Sequence, residues 1–377
     1  LRLIDTQTGR FAIFKDPSKA DYIALSHVTA KPSNNEHMER EVLRERTYQD
    51  LIALQASLHD GDSLLESLPH TDKLRNACRV SLQMGYKYIW IDTCCVDQSD
   101  AAAFAAANSA TYSWYRQSSA CLVFLHDVDP RGPSDTDAYS LIPRLLQSEW
   151  FRRGWTLQEL LAPNHVLFIA HDWSLLGTKA TLAHTMHAAT GIDPAVLTRT
   201  RALADVSVAE RLSWAAARRT LIAEDEAYCL AGIFDVRVEP AYGEGGARAF
   251  SRVQRAIYER TQDQSIFAWG ARVQDGVSLG GGSGLRWGGA GMGGVPALLP
   301  APSPRLFASC ADIKALSADA LARKLGGRSA LPDFEVTPYG LRARLPLVEG
   351  SDDSGVSYHL TFLACEDREG RYIALLL

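Results

Sequence analysis

The chain has 377 residues, of which 46% are hydrophobic and 22% charged. These values exclude a small peptide and a disordered chain, and the length suits two or three domains at ~150 residues per domain. The formal net charge of −5 argues against a general nucleic-acid binder, because phosphate neutralisation needs a basic surface.

Four short apolar runs, rich in β-branched or aromatic residues, predict strands at 22–26, 86–91, 121–125 and 166–169. Helix-compatible stretches separate these runs, and the stretch before the second one is expected to end at Gly85. This alternation predicts an α/β class with a mostly parallel, flavodoxin-like sheet flanked by helices. Such sheets bind ligands beyond the carboxyl ends of their strands.

The sequence predicts four parts, of which the α/β domain takes residues 1–175. Residues 176–270 read as a helical extension packed on it, with a capping box at 207–210 and a helix from Glu224 to Leu230 ended by Gly232. Residues 271–300 hold a glycine-rich run that predicts a linker or loop. Residues 301–377 alternate apolar and polar positions, as in a small antiparallel β-rich unit.

The seven cysteines are odd in number and irregularly spaced, unlike the disulfide framework of a secreted domain. The sequence contains no apolar run of ~18 residues and no signal peptide at its start, so we expect a cytoplasmic protein without membrane association. Because it starts at Leu1 and ends inside a strand-like run, we expect a segment of a longer product.

The stretch 148–163 is the densest in chemically useful side chains, with three aromatics, two adjacent arginines and two acids. A helix starting near Trp155 would place Glu159 in its first turn. There the carboxylate could face a cleft and stabilise a developing cation, with Trp155 lining one wall. Thr156 and Glu159 also match a capping box, in which Glu159 would only bond the backbone of Thr156. The sequence leaves both interpretations open.

A second cluster follows the predicted strand at 86–91. Asp92 and Asp97 could hold ribose hydroxyls, or Asp97 could cap the next helix. Cys94 would permit a thiol nucleophile with His27 or His126 as its base, although buried cysteines are commonly structural. Neither the adjacent cysteines nor the histidines at 184 and 187 have the spacing of metal ligands, so no metal is expected.

Four ordered motifs together resemble the heterokaryon incompatibility (HET) domain of filamentous fungi. They are YIALSH at 22–27, YKYIWIDTCCVD at 86–97, SWYRQSSACLVFLHDV at 113–128 and RGWTLQELLAP at 153–163. The resemblance extends to about residue 270. It implies fungal non-self recognition, a form of innate immunity in which fusion of incompatible cells leads to programmed cell death.

The spacing from Trp155 to Glu159 is similar to the W-x-x-x-E of Toll/interleukin-1 receptor (TIR) domains. That resemblance implies cleavage of the nicotinamide–ribose bond of NAD with Glu159 as the key carboxylate, NAD being a substrate and not a cofactor. It also implies an aromatic stacked on a base, polar groups at the strand ends and an arginine at the pyrophosphate. The candidate site residues are Ser26, His27, Asp92, Cys94, Asp97, Trp114, Arg152, Arg153, Trp155 and Glu159.

The chain departs from the HET pattern at 28–30, where the family's tryptophan and glycine are missing, and at 101–110, which is rich in alanine. Two functions follow as hypotheses. The first is a TIR-like NAD glycohydrolase that loses nicotinamide release in Glu159→Ala. The second is a non-catalytic signalling module that self-associates or docks a partner, such as an upstream recognition protein.

Overall fold

The computed structural model describes residues 1–28, 45–59, 62–130, 141–269, 271–272, 278–279, 283–284, 286–288, 300–324, 333–337, 340–345, 347–351 and 357–376. The chain divides into two compact units, Leu1–Thr198 and Arg199–Leu377. The predicted domain boundary at residue 175 lies inside the first unit, and the four-part division remains a prediction.

The first unit is built around one sheet, which has seven strands among the described residues. Its strands are β1 (Arg2–Asp5), β2 (Phe11–Ile13), β3 (Tyr22–His27), β4 (Tyr88–Ile91), β5 (Ala120–Phe124), β6 (Val166–Ile169) and β7 (Leu175–Thr178). They lie in the order β2-β1-β4-β3-β5-β6-β7.

The four central strands, β4-β3-β5-β6, are parallel to one another. All residues of β3 and β5 are buried, because helices cover both faces of a parallel sheet and leave no position for polar alternation. In this order the first parallel strand lies between the second and the third, as in flavodoxin-like sheets. The predicted class and the four predicted strands are therefore confirmed. The outer strands β1, β2 and β7 pair antiparallel and were not predicted.

Helices connect these strands. They are α1 (Tyr48–Ser57), α2 (Leu64–Ser67), α3 (Lys73–Gln83), α4 (Asp92–Cys95), α5 (Ala101–Gln117), α6 (Leu141–Gln147), α7 (Thr156–Leu161), α8 (Ala183–Thr190) and α9 (Pro194–Leu197). As predicted, α3 ends just before Gly85, whose φ of +89° favours glycine. The alanine-rich run forms α5, and Asp100 caps it by accepting bonds from two backbone N–H groups.

The second unit begins with helices. They are α10 (Val208–Ser213), α11 (Asp225–Tyr228), α12 (Gly246–Arg260) and α13 (Ala318–Lys324), with 3-10 turns at Ala231–Phe234, Gln264–Phe267 and Pro304–Phe307. The predicted end at Gly232 is wrong, since Gly232 lies within a 3-10 turn and Asp235 takes the left-handed conformation. Half of the predicted capping box forms: Ser207 Oγ accepts from the N–H of Glu210, whose carboxylate pairs with Arg201 instead.

The second unit also contains the β-rich part. Its strands are β8 (Ala271–Arg272), β9 (Ser278–Leu279), β10 (Ser283–Gly284), β11 (Arg286–Gly288), β12 (Lys314–Ala315), β13 (Asp333–Thr337), β14 (Gly340–Arg344), β15 (Leu347–Ser351), β16 (Ser357–Glu366) and β17 (Tyr372–Leu376). Antiparallel pairing of β15, β16 and β17 confirms the predicted antiparallel unit. Within the predicted linker 271–300, four short strands are described, and much of the glycine run lies outside the described residues.

None of the helices in the described part of the chain has the length and apolar character needed to cross a membrane.

Candidate active site

The candidate site lies at the carboxyl end of β3, one of the two inner strands of the parallel group. Ser26 and His27 end β3 and pair with Val123 and Phe124 of β5. Chain connections leave a flavodoxin-like sheet in opposite directions at this pair of strands, which opens a crevice that commonly binds ligands. The topology alone therefore marks Ser26 and His27 as positioned for ligand contact.

Glu159 meets Ser26 at this crevice. The hydroxyl of Ser26 donates a short hydrogen bond to the Glu159 carboxyl, and the indole N–H of Trp150 donates to Ser26 Oγ at 2.7 Å. Since Ser26 has one hydroxyl proton, the bond from Trp150 directs that proton toward Glu159. All three side chains are buried, with Glu159 only 7% exposed.

Glu159 does not act as a capping-box residue. The N-cap of α7 is Trp155, one residue earlier than the box requires, and no side-chain hydrogen bond caps this helix. Thr156 is already helical, and its hydroxyl contacts the carbonyl oxygens of Trp150 and Arg153 at 2.6 and 2.8 Å. The Glu159 carboxyl is therefore directed at the strand end, which favours the site interpretation over the cap.

The environment of Glu159 raises its pKa from 4.5 to about 7. Burial is the main cause, and the nearby charge of Asp92 adds to it, whereas Ser26, His27 and Tyr115 lower the pKa in part. Near neutral pH this carboxyl therefore exchanges readily between its neutral and ionised forms. Strongly perturbed carboxyls of this kind are typical of catalytic positions.

Tyr115 completes the surroundings of the Glu159 carboxyl. Its buried hydroxyl lies within hydrogen-bonding reach of that carboxyl and also contacts Leu25 O at 3.2 Å. Burial, followed by the negative charge of Glu159, raises the pKa of Tyr115 well above its usual value, so the phenol stays protonated. It can therefore act as a hydrogen-bond donor.

His27 points to the opposite face of the sheet from Ser26, as neighbouring strand residues do. Its Nε2 lies 3.1 Å from a carboxylate oxygen of Glu45, which also forms an ion pair with Lys73. Its Nδ1 lies 3.9 Å from Asp92, the first residue of α4. Asp92 is half-exposed and accepts a bond from the N–H of Thr93 at 2.8 Å.

The structure thus brings four of the ten predicted residues together: Ser26, His27, Asp92 and Glu159. Trp155 lies one helical turn before Glu159 and is half-buried, and Arg153 is also half-buried. Arg152 is exposed at the end of the 3-10 turn Glu149–Arg152.

Three other predicted residues make their contacts outside this group: Trp114, Asp97 and Cys94. Trp114 packs on Trp90 with ring centroids 5.6 Å apart, and its carbonyl accepts from Tyr22 at the opposite end of β3. Asp97 accepts bonds from Ser99 and Gln49. The helix cap, which was one of the two alternatives for Asp97, is supplied by Asp100.

Cys94 is buried, and its thiol donates to Arg46 O at 3.2 Å. Burial and the neighbouring Cys95 raise the pKa of the Cys94 thiol well above its usual value. A nucleophilic cysteine needs the opposite shift, so this environment argues against the alternative of a thiolate.

Four residues of the site were missed at the sequence level: Glu45, Lys73, Tyr115 and Trp150. Trp150 stood in the dense aromatic cluster without an assigned role, and Tyr115 stood next to the predicted Trp114. A helical register for α5 would have separated Tyr115 from Trp114, because adjacent helical residues point about 100° apart. Nothing in the local sequence links Glu45 or Lys73 to His27.

Among the described residues, one acidic cluster has the spacing of a metal site, formed by Asp312, Asp367 and Glu369 in the second unit. The carboxylate of Asp367 already accepts from Arg371 Nε at 2.7 Å and from two backbone N–H groups. Arg371 also pairs with Glu369 at 3.1 Å. Arginine therefore supplies the positive charge that these acids require.

Comparison with known proteins gives family matches for two segments of the chain. Residues 22–141 match the family described as Heterokaryon incompatibility protein (HET), and residues 248–376 match a domain of unknown function (DUF8212). The chain is 37% identical over 188 residues to vegetative incompatibility protein HET-E-1 of Podospora anserina. This alignment covers 49% of the chain but 14% of that relative. No solved structure matches. Residues 22–141 are therefore similar to the HET family.

Proposed function

We propose that this protein acts in fungal heterokaryon incompatibility and the programmed cell death that follows it, and that its HET domain hydrolyses the nicotinamide–ribose bond of NAD. The incompatibility role is supported by the HET match and by the similarity to an incompatibility protein. The NAD reaction is supported by the position of Glu159, together with the TIR-like spacing from Trp155.

One observation carries the proposed reaction: a buried carboxyl with a raised pKa is fixed at the crevice of a flavodoxin-like sheet. Cleavage of the nicotinamide–ribose bond passes through an oxocarbenium-like state, which a nearby carboxylate stabilises electrostatically. With its pKa near 7, Glu159 supplies that carboxylate at neutral pH. Ser26 and Trp150 hold the group in place, so little reorganisation is needed as charge develops.

The rest of the nucleotide would be bound by residues around this carboxyl. Trp155 is half-buried one turn away and offers an aromatic wall, and exposed Arg152 offers a guanidinium for the pyrophosphate. Asp92 is half-exposed beside His27 and can accept bonds from ribose hydroxyls. Nicotinamide leaves as a neutral group, so its departure requires no proton.

A second candidate function is a non-catalytic docking module. Both edge strands of the seven-stranded sheet expose an apolar side chain: Ile13 on β2 is 77% exposed, and Leu175 on β7 is 61% exposed. Sheet edges also present unpaired backbone groups that can pair with another chain. These edges favour self-association, which is compatible with either function.

The decisive experiment compares nicotinamide release from NAD by the full chain and by Glu159→Gln, over a range of protein concentrations with the oligomer fraction recorded. Glu149→Gln is the matched control, since that glutamate is exposed on the neighbouring 3-10 turn. We expect turnover that falls ~10²–10³-fold in Glu159→Gln, as when one electrostatic contact of a transition state is removed, and that persists in Glu149→Gln. If no variant and no oligomeric state of the protein releases nicotinamide, the hydrolase is excluded and the docking module is favoured.

A further inference from the structure

The imidazole of His27 carries a buried nitrogen that has no hydrogen-bond partner among the described residues. The ring is 1% exposed and lies between two carboxylates, with Nε2 at 3.1 Å from Glu45 and Nδ1 at 3.9 Å from Asp92. Nδ1 makes no hydrogen bond with the described residues. Buried polar atoms are nearly always satisfied, so an unpaired one at a crevice indicates that a ligand or water binds there.

The contacts of Glu45 determine which ring nitrogen carries the proton. Burial raises the pKa of Glu45, but the interactions of its carboxylate with His27 and Lys73 outweigh that effect, and the pKa falls to about 2. Glu45 is therefore ionised at neutral pH and can only accept hydrogen bonds, so Nε2 of His27 must donate. In the neutral ring this leaves Nδ1 with a free lone pair.

The carboxylate of Asp92 is a second polar group beside Nδ1. Asp92 is half-exposed, and its carboxylate oxygen lies close enough to Nδ1 for one water or hydroxyl to bond both atoms. His27 directly follows Ser26, whose hydroxyl bonds the Glu159 carboxyl, so the His27 ring and that carboxyl lie at the same strand end, on opposite faces of the sheet. A group held between Nδ1 and Asp92 would therefore lie at the same end of β3 as the carboxyl proposed to stabilise the ribosyl cation.

We propose that Nδ1 of His27 is the general base of this site and that Glu45 is the positioning residue that fixes its tautomer. This inference rests on the proposed NAD hydrolysis. Nicotinamide leaves with the electron pair of the bond from its nitrogen to C1′ of the ribose, and the water oxygen forms a bond to C1′. Nδ1 takes the proton of that water and later releases it to solvent past Asp92. The products are nicotinamide, ADP-ribose and one proton.

Two carboxylates stabilise the imidazolium formed in this step. Nε2 keeps its bond to Glu45, and the new N–H at Nδ1 faces Asp92. A buried carboxylate that orients one ring nitrogen while the other removes a proton is the arrangement of acid–histidine pairs in hydrolases. Lys73 neutralises the second oxygen of Glu45, which keeps that carboxylate from drawing the proton away from Nε2.

The test uses the full chain, His27→Gln and Glu45→Gln, with His70→Gln as the control for an exposed histidine. We expect His27→Gln to lower kcat ~10²–10⁴-fold, the usual contribution of a general base, while ADP-ribose binds with a Kd within about threefold of the parent chain. Nitrogen-15 NMR of the histidine rings should report the Nε2-protonated tautomer for His27. That signature should be lost in Glu45→Gln, along with most of the turnover.

The outcomes separate this inference from the proposed function. Nicotinamide release that persists unchanged in His27→Gln would overturn the assignment of His27 and leave the hydrolase intact. A proton on Nδ1 in the parent chain would overturn it as well, whatever the turnover. Absence of release from the parent chain in every association state would overturn the proposed hydrolysis, and the base with it.

Discussion

Replacing Glu159 by glutamine should stabilise the first unit at neutral and alkaline pH. The Glu159 carboxyl is buried and its pKa is raised to about 7, mainly by burial. Between the ordinary glutamate pKa of 4.5, taken for the unfolded chain, and about 7, the unfolded chain has released its proton while the folded chain keeps it. Folding therefore loses stability as the pH rises through this window.

The size of the effect follows from the two pKa values. A carboxyl whose pKa rises from 4.5 to about 7 on folding loses about 3 kcal/mol of unfolding free energy once it is ionised. Because Glu159 is 7% exposed, solvent screening reduces this value little. Glutamine has a similar volume, stays neutral and can still accept the bond from Ser26. We therefore expect a difference near zero below pH 4.5 that grows to about 3 kcal/mol above pH 7.

Urea unfolding at several pH values measures this difference. Since the two compact units need not unfold together, the transition is followed at Cys121, a thiol in β5 without exposed surface. A pulse of a dithiopyridine reagent labels this thiol where the first unit is unfolded, and mass spectrometry of its peptide gives the fraction. Glu149→Gln serves as the control and should show no such pH dependence. A stability difference that is constant with pH, or that falls as the pH rises, would refute the assigned environment of Glu159.

Two further predictions concern the same carboxyl. Nicotinamide release should rise with pH and level off above about pH 7, because the ionised form of Glu159 stabilises the cation. Ser26→Ala should move this inflection to higher pH, because the Ser26 hydrogen bond lowers the Glu159 pKa. An inflection that stays in place would contradict this role of Ser26. Trp150→Phe removes the N–H that donates to Ser26 and should lower the free energy of unfolding by ~1–3 kcal/mol. The same labelling assay measures this loss, and a loss near zero would show that the bond is not needed for stability.

The parallel sheet was predictable because each of its strands can be recognised from a short stretch of sequence. Each of the strands β3, β4, β5 and β6 is a continuous apolar run, since burial on both faces removes polar alternation. The outer strands lack this signal. β1 and β2 span four and three residues, and the burial of β2 is partial, so pairing with the sheet determines their conformation more than composition does.

The contacts of the site were less predictable because they join distant parts of the chain. Ser26 and Glu159 are 133 residues apart, and Ser26 and Trp150 are 124 apart. The strand-end rule selected Ser26, His27 and Asp92 because it depends on topology alone. Glu45, which contacts His27, lies in the segment just before α1, and Lys73, which pairs with Glu45, lies in α3. No strand-end rule addresses either segment.

The role of Glu159 shows how one residue of register changes an interpretation. A capping box at Thr156 and Glu159 requires Thr156 to be the N-cap, but α7 begins with Thr156 already helical. The hydroxyl of Thr156 bonds Trp150 O and Arg153 O, which ties the helix start to the preceding 3-10 turn. That shift leaves the Glu159 carboxyl without a capping role and directs it toward Ser26.

The cost of burying Glu159 and its proposed function have the same origin. A carboxyl kept only as a helix cap would be at least partly hydrated, and ionisation would stabilise the fold. Here ionisation is unfavourable because the carboxyl is buried, and the raised pKa reflects that penalty. A ribosyl cation bound beside Glu159 would offset this penalty. The ionised carboxyl, which destabilises the free protein, would then stabilise the transition state. An inactive Glu159→Gln that is also more stable than the parent chain is therefore the combined result expected of a catalytic carboxylate, whereas a structural one would lose stability.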